Sequence, residues 1–482
     1  MRTLFYLFII VQIALITFAN NTIDPDYWAR LLQGNAFWLN HSIMKQDIFS
    51  YTDTHFWLDH EWGSSIVFSF LQNNFGFIGV LFFKILLLFI IFLLVIKTIE
   101  LQTQKNNNLY NIIIFTLTLY SLSTLSQSWL RCHFFTFFFF TLFLYILELV
   151  RKQGNNKLLL LLPPLMLIWS NMHGGCVSAL GMLFIYTIGE FLNKKQFKYY
   201  LFSLIGCFAV MFINPYGTDY VKFIFMASTM PRPYITEWLS PFLDKPVDFM
   251  ICFKITYIIF LFIIIKNLKN LKYDYTKLLL LIACAVVSFK NIKSTPFFII
   301  TSLVFLYEYI VVYFSDKKNK FIEVGLMAVF LIFAAKSISP SFFLSCQPYK
   351  AVEFLKINNL KGKILAPLDM GSYIAYKLYP NNTIYMDGRY EEVYFDETKN
   401  LLDNFYNAKQ NREDIFYIKP DYIITPSDAL INDFLLKRKD YKLTYRDEYN
   451  WIFIEEKSQK RIYKLPSNNI LYYAKTAFDR LY

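Results

Sequence analysis

The residues best able to do chemistry cluster in one short stretch. Between positions 21 and 62 the chain holds five Asp, one Glu and three of its five His. The stretch contains Asp24-Pro25-Asp26-Tyr27-Trp28, then Asp47-Ile48-Phe49-Ser50, then Trp57-Leu58-Asp59-His60-Glu61-Trp62. Two carboxylates flanking a Pro, with a His-Glu pair further on, suit a general base or a divalent metal. Capping of a helix by Asp24 or Asp26 is the plainer reading of the same spacing.

The surroundings decide what such a loop is attached to. The chain has 482 residues, is 56% hydrophobic and 17% charged, and has a mean hydropathy of +0.35. Apolar runs long enough to cross a bilayer recur through the first 340 positions, where about 20 helical residues are needed. This is the pattern of a polytopic helical membrane protein, because helices satisfy their backbone groups internally. Eleven spans are predicted, near 3–20, 77–98, 109–127, 133–150, 157–170, 175–193, 199–214, 251–266, 277–290, 296–314 and 321–338. The first reads as an uncleaved span, since only Arg2 precedes it; a cleaved signal peptide ending near Ala19 is the alternative. The net charge of +12 is explained by retention of cytoplasmic loops and not by a nucleic-acid partner. The six Cys are scattered and suggest neither disulfides nor zinc.

Charge assigns the two faces. Lys97, Arg151, Lys152, Lys194, Lys195, Lys269, Lys272, Lys317 and Lys318 fall in alternate loops, which are therefore cytoplasmic, as is the N-terminus. The acidic loop, the segment around Arg131, Asn171-Met172-His173-Gly174-Gly175, the loop 215–250 and Lys290-Asn291-Ile292-Lys293 fall outside. Spans between them look nearly free of charge, with Lys84 and Lys254 near their ends. Polar motifs gathered on one face suit an enzyme acting on a lipid-borne substrate better than a transporter, whose ionisable groups lie at mid-depth.

From about Lys350 the pattern changes to short β-rich runs at 362–366, 382–386, 421–424, 441–445 and 451–454. Helices are predicted at 349–357, 371–378, 396–408 and 427–437. The expected organisation is a helical membrane domain over 1–340, with outer loops 21–61 and 215–250, an extracytoplasmic α/β domain over 346–457, and a basic tail over 458–482. Asp369-Met370-Gly371 and Asp387-Gly388-Arg389 follow predicted strand ends, where open α/β sheets bind ligands.

Taken together, these segments resemble bacterial membrane proteins of the GT-C glycosyltransferase type, in a branch marked by D-P-D-x-W, D-x-F-S, H-E-W, N-x-H-G-G and N-P-Y-G patterns. The matches run in order from Asp24-Pro25-Asp26 through Asn214-Pro215-Tyr216-Gly217 and Glu237-Trp238-Leu239-Ser240-Pro241 to Asp387-Gly388-Arg389. The chain departs where the pattern has Trp-His and it has Ala29-Arg30. The resemblance implies an inverting transferase of the cytoplasmic membrane. It would move a sugar from a polyprenyl-phosphate-linked donor to an extracytoplasmic glycan or lipid acceptor. Asp26 is then the expected base, with Asp24 next. Asp24, Asp26 and Glu61 are candidate ligands for magnesium or manganese. Arg131, Lys290, Lys293 and Arg232 are candidates for the donor phosphate, or snorkel to lipid headgroups. His60, Glu61, His173 and Asn171 are candidates to support the site. A transporter or flippase and a non-catalytic envelope scaffold are the rival readings.

Overall fold

A computed structural model of the chain describes residues 13, 23–52, 57–102, 131–230, 232, 235–243, 250–314, 347–393, 416, 419–458 and 463–467. The spans expected at 109–127 and 321–338, nearly all of 3–20, the helix at 396–408 and most of the basic tail lie outside the described residues.

The helices are α1 (Pro25–Asn40), α2 (Trp62–Gln102), α3 (His133–Gln153), α4 (Leu162–Met172), α5 (Val177–Leu192), α6 (Lys198–Val210), α7 (Thr218–Thr229), α8 (Ile251–Lys266), α9 (Tyr275–Lys290) and α10 (Thr295–Phe314). Next come α11 (Tyr349–Ile357), β1 (Gly362–Leu365), α12 (Leu368–Leu378), β2 (Asn382–Ile384) and α13 (Tyr390–Val393). The described chain ends with β3 (Tyr422–Pro426), α14 (Ile431–Leu435), β4 (Tyr441–Arg446) and β5 (Asn450–Glu455). Among the described residues, Trp62–Gln102, His133–Gln153 and Gly174–Leu192 are long and apolar enough to cross a membrane.

The chain divides into two compact units. One comprises Met1–Asn21 and Leu81–Ser341; the other comprises Thr22–Val80 and Phe342–Tyr482. Helix α2 begins in the second unit and ends in the first, and its regular geometry breaks at Gly76 (φ 66°, ψ −172°). Only glycine takes that backbone conformation without steric cost.

In the first, helical unit, α9 packs against α5 and α10, and α6 packs against α4 and α5. The unit is not free of buried charge, as the apolar runs suggest. Glu148 on α3 and Glu190 on α5 are 1% and 3% exposed. Both pair with Arg151, at 3.0 Å and 2.8 Å, and Arg151 also holds Asp274 Oδ1 at 2.7 Å. The Tyr186 hydroxyl donates to Glu148 (2.6 Å) and the Thr276 hydroxyl to Glu190 (2.8 Å). One guanidinium thus ties α3, α5 and the start of α9 at the lysine-rich end, as a buried charge requires. Lys84 is likewise well inside α2 and 3% exposed, with Nζ 5.3 Å from the Phe134 ring.

The second unit is built on a five-stranded sheet in the order β2-β1-β3-β5-β4. The strands β2, β1 and β3 are parallel, and β3, β5 and β4 antiparallel. Ile364, Ile424, Ile452, Phe453 and Ile454 are fully buried; the last three are consecutive and so point to opposite faces, and both faces of the sheet are covered there. Helix α1 packs on α12, with Trp28 edge-on to Tyr373 at 5.0 Å and near Tyr376 at 5.3 Å. The segment after α1 extends the sheet beyond β2. Ser50 forms a parallel bridge with Ile384, supported by Ile384 N–H to Phe49 O (3.0 Å) and Tyr51 N–H to Ile384 O (2.9 Å). The acidic loop and the C-terminal α/β elements therefore belong to one compact unit.

Candidate functional site

Asp24 and Asp26 have different environments. Asp24 is the N-cap of α1; its extended backbone (φ −66°, ψ 140°) lets Oδ1 accept the Asp26 N–H at 2.7 Å. Pro25 fits the first helical position, where its missing N–H costs nothing. Asp24 is 1% exposed, whereas Asp26 is half-buried. The Asp26 carboxylate lies against Gly388. A Cβ at residue 388 would come within 2.2 Å of Asp26 Oδ1, so a residue without a side chain makes that approach possible.

Gly388 sits in the turn leaving β2, which is locked from both sides. Asp387 and Arg389 are fully buried. Arg389 Nε donates to both Asp387 oxygens (2.9 and 3.0 Å), and Nη1 reaches Asp47 Oδ1 at 3.2 Å. Asp47 Oδ1 also accepts the Phe49 N–H at 3.0 Å. The guanidinium lies 4.9 Å from the Phe49 ring and 5.8 Å from that of Trp57. Burial raises the Asp387 carboxyl above its ordinary range, and the Arg389 charge pulls it part of the way back. These groups hold the acidic loop to the end of β2. The Ser372 hydroxyl accepts the Gly388 N–H at 3.3 Å, joining α12 to the same turn. Asp369, at the start of α12 beyond β1, is also raised by burial.

A second cluster lies in this unit around Arg30. Arg30 Nη1 pairs with Asp59 Oδ1 at 2.7 Å and Glu61 Oε2 at 3.4 Å, and Nη2 with Glu392 Oε2 at 2.8 Å. The Gln33 amide adds a donor to Glu392 Oε2 at 3.1 Å. The other oxygens of the two glutamates face His60: Glu392 Oε1 lies 3.1 Å from Nδ1 and Glu61 Oε1 3.6 Å from Nε2. Each glutamate thus bridges a guanidinium and an imidazole. Burial lowers the basicity of His60, but the Glu61 and Glu392 charges outweigh it and raise its pKa to about 8. Burial and the Glu392 charge push Asp59 up to about 7, against the opposing pull of Arg30. Glu392 itself is held well down: Arg30 and His60 overcome its burial.

His60, Glu61 and Glu392 can each place a ligand atom within 4.8 Å of the others, so together they could hold a metal ion. One imidazole and two carboxylates suit manganese better than magnesium. Of the three acids expected around a metal, only Glu61 belongs to this group; Asp24 is engaged as a helix cap.

The remaining candidates lie in the helical unit. Arg131 pairs with Glu237, and Lys293 Nζ lies 3.6 Å from Glu237 Oε1. Burial would raise the Glu237 carboxyl, but Arg131 and Lys293 dominate and hold it at about 2. Arg232 is 7% exposed, donates to the Ala227 (2.7 Å) and Met230 (3.0 Å) carbonyls, and stacks over Trp238 at 4.1 Å. Lys290 is exposed at the C-terminal end of α9. His173 accepts the Gly175 N–H at Nδ1 (2.9 Å) and meets the Thr136 hydroxyl there at 2.7 Å. That hydroxyl also accepts the Trp169 indole N–H (3.1 Å), so it donates to His173, and the neutral imidazole carries its proton on Nε2. Asn171 bonds the Leu167 carbonyl (2.8 Å) and accepts the Asn214 amide (2.9 Å), tying two of the sequence motifs together.

Sequence reasoning missed Glu392. It lies 362 positions from Arg30 and follows another glutamate, and nothing local distinguishes it from a solvated surface acid. It also read Arg30 as a deviation, where the structure makes it the hub of the cluster.

The chain thus joins, among its described residues, three helices long and apolar enough to cross a membrane to a C-terminal mixed α/β sheet. Among solved structures it is similar to the oligosaccharyltransferase of Archaeoglobus fulgidus, crystallised with a tethered acceptor peptide containing the NVT sequon. The TM-score is 0.52 over 87% of this chain and 69% of that one, with 12% identity, so the likeness is one of fold. No protein-family model and no curated protein matches the chain.

Proposed function

We propose that the chain is a GT-C-type glycosyltransferase that moves a sugar from a polyprenyl-phosphate-linked donor to an extracytoplasmic glycan or lipid acceptor. The observation that carries this reading is the placement of Asp26. It is a half-buried carboxylate in the first turn of α1, set against the glycine of the Asp387-Gly388-Arg389 turn by a fully buried ion-pair clamp. A carboxylate so held is positioned for proton transfer and need not reorganise to act. The acceptor hydroxyl oxygen bonds to the anomeric carbon as the carbon–oxygen bond to phosphate breaks. Asp26 takes the hydroxyl proton, and the lipid phosphate leaves with the bonding electrons. The configuration at the anomeric carbon inverts.

In this reading Asp24 positions Asp26 through its cap. Arg131 and Lys293 are the cations that bind the lipid phosphate, Lys290 is an accessory cation, and Arg232 holds Trp238 in place. His173 and Asn171 fix the loops between their helices. His60, Glu61 and Glu392 would hold a manganese-class ion, which would supply positive charge within their own unit. The fold's likeness to an oligosaccharyltransferase supports a transferase over the transporter and scaffold readings.

The test is transfer by the purified protein in nanodiscs, supplied with a panel of polyprenyl-phosphate sugars and a total envelope-lipid acceptor fraction. Asp26→Asn is expected to lower the rate by about 10³-fold with an unchanged melting temperature. Transfer at the wild-type rate by that variant would remove Asp26 from the role of base.

A further inference from the structure

The cations assigned to the donor phosphate already face a carboxylate. Glu237 lies on the one-turn helix Thr236–Trp238, between Arg131 and Lys293. The three side chains are 24%, 15% and 30% exposed, so solvent and solutes reach the group. Arg131 precedes α3, and Lys293 lies in the turn Ile292–Ser294 ahead of α10. The strand of chain carrying Glu237 is fastened to the second of these. Ile292 N–H donates to Leu239 O (3.0 Å), and the Ser240 hydroxyl to Phe289 O (2.6 Å). Those fastenings involve residues 239 and 240, so the Glu237 side chain can rotate away without breaking them. The neighbouring Trp238 ring stacks against Arg232 (4.1 Å) and Lys293 (4.9 Å), and its buried indole N–H has no acceptor among the described residues. An anion in place of the carboxylate would meet two cations with that donor beside them.

We propose that Glu237 is a displaceable counter-ion that occupies the phosphate position of the Arg131–Lys293 pair until a phosphate ester replaces it. This rests on the phosphate role given to those cations above and adds how the site is regulated. The carboxylate keeps the two cations oriented and their repulsion low in the empty protein. It also sets a threshold that weakly held anions do not pass, so the pair retains a phosphate only where the rest of the ligand, such as a prenyl chain, adds to the affinity.

Binding of citronellyl phosphate, a short prenyl monophosphate, to the full chain in neutral-lipid nanodiscs tests this. The variants are Glu237→Gln, which keeps the shape and removes the charge, and Arg131→Gln, with melting temperatures confirming folding. Removing a charge in direct contact with both cations is expected to tighten binding by about tenfold or more. Arg131→Gln should abolish it, and citronellol should bind no variant selectively. Inorganic phosphate and phosphatidylglycerol discs should bind the wild type weakly and Glu237→Gln measurably. If the wild type binds the probe, Arg131→Gln does not, and Glu237→Gln binds no tighter, the phosphate site stands and the counter-ion role is overturned. If Arg131→Gln binds like the wild type, the phosphate assignment itself falls, and this inference with it.

Discussion

The two charged clusters are inversions of one another. In the unit formed by the acidic loop and the α/β elements, one guanidinium, Arg30, is surrounded by Asp59, Glu61 and Glu392. In the helical unit, one carboxylate, Glu237, faces Arg131 and Lys293. The first cluster sets three carboxyl groups around Arg30 and His60 and is almost closed to solvent; the Arg30 and Glu392 side chains are each 3% exposed. The second has surplus positive charge and is open. A closed, acid-rich cluster is suited to keeping a cation or a proton, and an open, base-rich one to exchanging an anion. Burial, more than charge count, separates a fixed element from an exchangeable one.

The largest effect that would sharpen this contrast is on stability. Arg30→Met should destabilise its unit by about 3–5 kcal/mol, because the buried Asp59 and Glu392 and the half-buried Glu61 lose their common partner. Glu237→Gln should cost less than Arg30→Met, because the two cations it leaves behind stay partly hydrated. Thermal unfolding of both variants in detergent compares them, and equal losses would break the distinction.

The clusters should also respond to pH in opposite directions. His60 has its pKa raised to about 8 in the metal-free folded chain, so its contribution there is complete below its ordinary value near 6.5. That contribution is lost as pH rises through 8, and amounts to about 2 kcal/mol. Asp59, raised from about 3.8 to about 7, likewise favours the folded state at low pH; that contribution is lost between those two values and is gone above pH 7. Glu237, held at about 2, contributes above the ordinary carboxylate range and loses its effect only as pH falls toward 2. Hydrogen-exchange protection, taken relative to the intrinsic rate at each pH, should therefore fall around residues 58–65 between pH 6.5 and 8.5 and stay constant around residues 235–243. An equal fall in protection in both segments over that interval would contradict the assignment.

The smallest effect separates the two aspartates of the first loop. Asp24→Ala should lower stability by about 1 kcal/mol through loss of the cap and reduce transfer only in part. Asp26→Asn should do the reverse. A full loss of transfer from Asp24→Ala, with stability unchanged, would exchange their roles.

Much of this architecture is legible locally. The apolar runs become helices at 133–153, 177–192, 251–266 and 295–314, and the β-rich runs become strands within one or two residues of their expected ends. Periodicity and turn residues are local signals, and each element follows its own. What escaped depends on distant partners. Glu148 and Glu190 are lone acids inside apolar runs, and only the fold brings both to Arg151. Asp47 reads as a turn residue, which it is, yet its second partner, Arg389, is 342 positions away. The Arg30 cluster was half visible: Asp59, His60 and Glu61 are adjacent in sequence, but Glu392, which joins them, is not.

The most direct test of sugar transfer is mass spectrometry of lipid-linked sugars and envelope glycans in a source-cell strain lacking this gene, complemented with the wild type or Asp26→Asn at matched membrane levels. The expected result is one glycan or lipid lacking a sugar, with its polyprenyl-linked donor accumulating. The wild type should reverse both changes and the variant neither. Full restoration by Asp26→Asn, or identical glycans with and without the gene, would contradict the account.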